Sequence, residues 1–272
     1  MFTALTNAQF TAPAAADGVT LTTTGVAWTN TAWSELDAGV SADAALTGIV
    51  CRPVAAGSVR AIPIEIDIGT GAAAAEVVIA TFRLYHRQIF DASTDVGLCV
   101  RLPIGIANIA SGARLSTRMR WDSTQVLTYA IAATYIKLPI TGEYLTTAQP
   151  LLPIPSAAAQ LVVTAGAGVY ANGAYVQVRS AAGAAIVLAA IIAASDTGSQ
   201  FEFDIATGGA GSETVISTFG SNMGGAQALP WHTAFPLPLD NIAASARVAV
   251  RARSSSASAV AGVSLNWIEK PL

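Results

Sequence analysis

Apolar and polar residues alternate with a period of two along residues 64–68, where Ile64, Ile66 and Ile68 are interrupted by Glu65 and Asp67. The alternation returns at 201–205, with Phe201, Phe203 and Ile205 against Glu202 and Asp204. A period of two puts successive side chains on opposite faces, so each stretch predicts a strand with one buried and one polar face. EVVIATF, IVCRPV, GARLSTRMRW and VLTYAIAATYIKLPI add short β-branched and aromatic runs divided by Gly, Ser and Pro, the pattern of an antiparallel sandwich. Helix signals are poor. Alanine is the best helix former, but the run Ala72–Ala75 is flanked by glycine and its counterpart reads GGAGSE, so a loop is expected.

The two alternating stretches belong to a longer repeat. IEIDIGTGAAAAEVVIATF (64–82) and FEFDIATGGAGSETVISTF (201–219) agree at eleven of nineteen positions, among them Thr70/Thr207, Gly71/Gly208 and three carboxylates. LPIGIANIASGARLSTRMR (102–120) faces FPLPLDNIAASARVAVRAR (235–253), with Arg114, Arg118 and Arg120 spaced as Arg247, Arg251 and Arg253 are. The register changes from 137 to 133 between these blocks, which marks a loop, because loops absorb length changes that strands do not. Upstream, GVAWTNTAWSEL (25–36) matches AGVYANGAYVQV (167–178), and downstream YIKLPI (135–140) matches WIEKPL (267–272). The chain is therefore expected to be all-β, with two tandem antiparallel β-sandwich, jelly-roll-like domains arising from an internal duplication. The expected division is an amino-terminal arm (1–18), a first copy (19–140), a connector (141–160) and a second copy (161–272). Three prolines in the connector argue for an extended link rather than a continued sheet. The most apolar run, AAIVLAAIIAA (184–194), is too short for a membrane-spanning helix and reads as a core strand opposite ALTGIVC (45–51).

Composition sharpens this picture. Charged residues make up 11% of the chain, against about 25% in an ordinary soluble domain. Few charges remain to oppose contact between subunits, and few would be desolvated on forming it, so a homo-oligomer with large interfaces is expected. The net charge of −3, with arginines scattered between acids, speaks against nucleic acid. The first eighteen residues have neither the basic nor the continuous apolar region of a signal peptide, so export by that route is not expected. Cys51 and Cys99 have no zinc-binding spacing; they read as two buried thiols, with a bridge between them left open.

Candidate chemistry is thin. Glu65 and Asp67 share the outward face of their strand, Arg118 and Arg120 that of theirs, and Arg114 is in phase with them. If these strands are neighbours, each copy carries a structural ladder: Glu65, Asp67, Arg114, Arg118 and Arg120 in the first, Glu202, Asp204, Arg247, Arg251 and Arg253 in the second. Such exposed cross-strand pairs contribute about 0.2–1 kcal/mol each. The competing reading places calcium between Asp67 and Glu76, but two carboxylates fall short of six or more oxygen ligands, so no metal and no cofactor is expected. The glycine turns lead into no helix amino terminus that would cradle a phosphate. The two histidines, His86 and His232, fall in the variable segments after the repeated strand, and neither lies in a catalytic motif. Trp28, Asn30 and Trp33, with Tyr170, Asn172 and Tyr175 as counterparts, are candidates for stacking on sugar rings, joined by Trp231 and His232. Core packing of these aromatics is the alternative. Nothing here calls for an enzyme.

DIGTGAAAAE followed by PIGIANIASGARLSTRMR resembles a repeat of virion proteins in tailed bacteriophages, prophages and gene transfer agents, where DIGxGxxGSE precedes PIxIPxGTRIxxRxQ. The second copy is nearer in its first part, DIATGGAGSE. Before the arginine the chain has Gly112-Ala113 and Ser245-Ala246 where the pattern has Gly-Thr. The resemblance implies a fibre, spike or head-decoration subunit, assembled in the host cytoplasm into a virion beside other virion proteins. It also implies a non-enzymatic part, with host-surface polysaccharide binding as the alternative role.

Overall fold

The computed structural model describes residues 9–13, 18–54, 62–86, 98–137, 151–154, 161–180, 185–195, 199–223, 235–236 and 241–269. All regular structure in them is β. The first half contributes β1 (Gln9–Ala12), β2 (Val19–Thr22), β3 (Ser34–Asp37), β4 (Ala44–Pro53), β5 (Ile62–Thr70), β6 (Val77–His86), β7 (Leu98–Ile109), β8 (Leu115–Trp121) and β9 (Thr128–Lys137). The second contributes β10 (Leu151–Ile154), β11 (Leu161–Thr164), β12 (Val176–Arg179), β13 (Ile186–Ala194), β14 (Ser199–Thr207), β15 (Thr214–Met223), β16 (Phe235–Pro236), β17 (Asn241–Ile242), β18 (Val248–Ser254) and β19 (Val260–Glu269).

In the first half β1 and β2 follow one another along one edge of β9, and the sheet continues β9-β4-β7; the facing strands run β3-β8-β5-β6. The second half repeats both orders, with β10 and β11 along β19, then β13 bordered by β16 and β17, and the strands β12-β18-β14-β15. Two sheets of this order, with most successive strands switching sheets, make a jelly roll, and two occur in tandem. Each encloses its own apolar core. One gathers Ile64, Ile66, Ile68, Leu46, Ile49 and Tyr129; the other gathers Phe201, Phe203, Ile205, Val250, Val263 and Leu265, all fully or almost fully buried. AAIVLAAIIAA supplies β13, which takes the place in its sheet that β4 takes in the first half.

Two expectations change here. The connector is not free of the sheet, because Leu151–Ile154 pairs antiparallel with β19 and touches β6 in parallel at Leu151↔Ala80. Pro153 faces Asn266 of β19, past the point where pairing to β6 stops. Among the described residues β10 is an edge strand at that point, the setting in which a proline is found within a sheet. His86 ends β6 opposite Ile62 instead of lying in a loop. The register sets Cys51 opposite Leu98 and Cys99 opposite Val50, so the two cysteines are offset by one position on neighbouring strands.

The glycine shared by the two opening motifs has a steric cause. Gly71 and Gly208 close the β5–β6 and β14–β15 hairpins at φ 125° and 117°. A Cβ at either would stand 2.8 or 2.7 Å from the carbonyl oxygen of Ala75 or Ser212. The alanine run is thus the tip of a hairpin, closed by Ala75 N–H donating to the Ala72 carbonyl.

Candidate functional site

Because β5 lies between β6 and β8, the outward residues of three strands form one row of side chains. Glu65 is opposite Arg120 and Asp67 opposite Arg118. Three rungs result. Arg114 donates to Glu76 at 2.6 Å and to Glu35 at 2.8 Å; Arg118 donates to Asp67 at 2.7 Å; and Arg120 donates to Glu65 at 2.6 Å. The Thr81 hydroxyl donates to the other oxygen of Asp67 at 2.7 Å, and Arg83 donates to the other oxygen of Glu65 at 2.6 and 2.9 Å.

The second half repeats this almost atom for atom. Arg247 donates to Glu213 at 2.8 Å and to Gln177 at 3.0 Å. Arg251 and Thr218 share Asp204 at 2.8 and 2.7 Å, and Arg253 reaches Glu202 at 2.5 Å. The difference is Arg83, whose counterpart is Gly220. Glu65 and Arg83 side chains are wholly buried, whereas the Glu202 side chain is 42% exposed.

The ladder is more covered than its sequence position implied, most of all in the first half. Asp204 is buried under the segment before β12, and Glu65, Asp67 and Arg83 are buried because the matching segment before β3 folds back over the strands. Trp28 N–H donates to the Trp121 carbonyl and Thr31 N–H to the Met119 carbonyl, both at 2.8 Å, which pins that segment along β8. Trp28 then lies 5.3 Å from the Arg83 guanidinium and Trp33 4.5 Å from that of Arg118, cation–π contacts that cover the charges. In the second half Tyr170 and Gly173 make the same backbone bonds to Ser254 and Ala252, and Tyr175 lies 4.7 Å from Arg251. Trp28 and Tyr170 share a left-handed backbone, φ 56° and 54°, uncommon for an aromatic residue. Both aromatics of the first half belong to this roof. Each ring is partly exposed and rests on an arginine, and Asn30 is half-buried between them in sequence. Trp231 and His232 lie outside the described residues.

The roof explains a further difference between the repeats. A Cβ on Gly69 would stand 2.7 Å from the Trp33 ring, and the counterpart pair is Ala206 with the smaller Tyr175. Gly69→Ala is expected to be destabilising alone and to be relieved in combination with Trp33→Tyr. A double-mutant cycle should return a coupling of about 1–3 kcal/mol. Additive effects would mean that the ring does not rest on Gly69.

The electrostatics follow from the contacts. Arg114 holds the Glu76 carboxyl below its ordinary value, and Arg247 does the same for Glu213. Burial pushes Asp204 upward, but bonds from Thr218 and Arg251 and the charge of Arg253 more than offset it, leaving that carboxyl lowered too. A carboxyl lowered in the folded state binds protons less readily than in the unfolded chain. Its stabilisation is complete above its unfolded value, about 4, and is lost as pH falls through the folded one. Urea midpoints should be flat from pH 7 to 5 and then fall. Glu76→Gln with Glu213→Gln should flatten that fall, and an unchanged profile would contradict the assignment.

The arrangement leaves little for chemistry. Asp67 and Glu65 have guanidinium or hydroxyl donors on both oxygens, and the calcium reading loses Asp67 to Thr81 and Arg118. Among the described residues no group of three or more His, Cys, Asp or Glu could hold a metal ion. Glu35, Arg83, Thr81, Thr218 and Gln177 join the ladder without having been singled out by spacing. Thr81 and Thr218 carried a signal, since both fall in the repeated Thr-Phe pair.

Fold and ladder define a class: an all-β protein of two tandem jelly rolls, each carrying an Arg–carboxylate ladder on an outer face. No family model and no curated protein matches the chain. Among solved structures, the chain is similar to one reported as "The Triple Jelly Roll Fold and Turret Assembly in an Archaeal Virus", at 8% identity and a TM-score of 0.22. The match covers 98% of this chain, which spans 60% of the length of that one.

Proposed function

We propose that the chain is a structural, non-enzymatic subunit of a phage-like particle, of the fibre, spike or head-decoration kind, and that it works as a symmetric homo-oligomer. The observation that carries this reading is that the acidic residues most suggestive of a site are used up in the ladders, twice over. The motif resemblance in DIGTGAAAAE and GARLSTRMR supports the particle setting, and the low charge supports extensive subunit contact. The alternative role, reading host polysaccharide, would draw on Trp28, Asn30 and Trp33, whose rings rest on arginines by one face, and on Trp231 and His232.

Electron microscopy of particles assembled with and without the protein tests the proposal. A specific appendage or surface layer should be missing without it. Identical particles, with the protein absent from the purified particle fraction, would overturn it. Glycan-array binding abolished by Trp231→Ala in an intact oligomer would establish the polysaccharide role.

A further inference from the structure

We infer that chains join head to tail through the open edges of β1 and β15, and that a second copy of this chain completes the contact already present between its own two halves. The inference deepens the subunit reading and rests on it.

The internal contact is built by β10. One edge of β10 lies on β19, the last strand of its own jelly roll, with Leu152 opposite Trp267; its other edge meets β6 of the preceding jelly roll at Leu151↔Ala80. This joins a sheet of the second half to a sheet of the first in one continuous ten-stranded sheet. The counterpart of β10 is β1. It lies on β9, the last strand of the first half, with Phe10 opposite Tyr135, and Tyr135 matches Trp267 in the repeat. The short strands that follow keep the same relation, Val19↔Ile131 and Leu161↔Val263. The outer edge of β1 has no strand partner among the described residues.

At the other end, β15 is the counterpart of β6, with the same hairpin register and the same bulge one step past Ile68 or Ile205. It ends its sheet, again with no outer partner among the described residues. Burial records the difference. Ile79, Ala80 and Phe82 of β6 are 7%, 0% and 0% exposed, while Ile216, Ser217 and Phe219 of β15 are only partly buried. The sequence of β15, TVISTFGSNM, has no charge and no proline, two of the devices by which natural edge strands avoid pairing, and its bulge is one that β6 shares while still pairing with β10. One chain therefore carries one completed contact and the two unmatched halves of another. Repeating it is a heterologous association, which closes into a ring or continues as a filament according to the rotation per step.

Transferring Leu151↔Ala80 to the counterparts places Gln9 of one chain beside Ser217 of the next. Gln9→Cys combined with Ser217→Cys, treated with an oxidant, should give a ladder of covalent multimers that neither single variant gives. Ser217→Arg, at a half-exposed position in the separate chain, should retain the β circular-dichroism spectrum and reduce the mass in light scattering to that of one chain. An oligomer that persists in Ser217→Arg and yields no covalent ladder would overturn the edge contact while leaving the subunit reading standing. A wild-type protein of single-chain mass at every concentration would overturn both.

Discussion

Glu65→Gln is expected to destabilise the protein by about 3–5 kcal/mol, and Glu202→Gln, at the matching position of the second jelly roll, by less than about 1 kcal/mol. The contrast follows from one neighbour. Glu65 accepts from both Arg83 and Arg120, and its side chain and that of Arg83 are fully buried. The amide keeps one acceptor oxygen but turns an NH2 group toward a guanidinium, so the buried Arg83 loses the charge of Glu65. Glu202 faces Gly220 in place of an arginine, and its side chain is 42% exposed, so water replaces what the substitution removes. Thermal or urea unfolding of the two variants measures the difference. Equal losses would mean that Arg83 does not depend on Glu65.

Gly173→Ala is expected to cost about 3 kcal/mol, at the upper end for overpacking. Its Cβ would stand 1.8 Å from the Thr164 carbonyl oxygen and 3.2 Å from that of Ala252, and backbone atoms in paired strands have nowhere to move. Relief requires lifting the loop, which gives up the Tyr170 and Gly173 bonds to β18 and withdraws Tyr175 from Arg251. The counterpart residue is Thr31, so repeat comparison alone would call Gly173→Thr harmless. A melting temperature within a degree of wild type for Gly173→Ala would contradict the packing described for this loop.

Much of the ladder was legible because two independent spacings agree. Carboxylates two apart recur with arginines four and two apart, and a period of two converts both into a shared face. Its burial was not legible. Trp28 and Trp33 reach the ladder through a loop with a left-handed aromatic residue, and no strand periodicity announces such a loop. Arg83 was missed because it occurs in one repeat only, and comparison of repeats finds what they share. The prolines of the connector pointed away from a strand, yet Pro153 fits where β10 has already parted from β6. The equivalence of β1 and β10 was hidden for a different reason. QFTA and LLPI share no residue, and only their common register on β9 and β19 relates them.

The proposed building block has charges that hold its own framework together and open edges that take up another copy. Light scattering of the purified wild-type protein tests this most directly. The expected result is a single mass that is a whole multiple of the 27.6 kDa chain, at least twofold, or a filament growing in such steps. One species of 27.6 kDa, unchanged as the protein is concentrated, would contradict it.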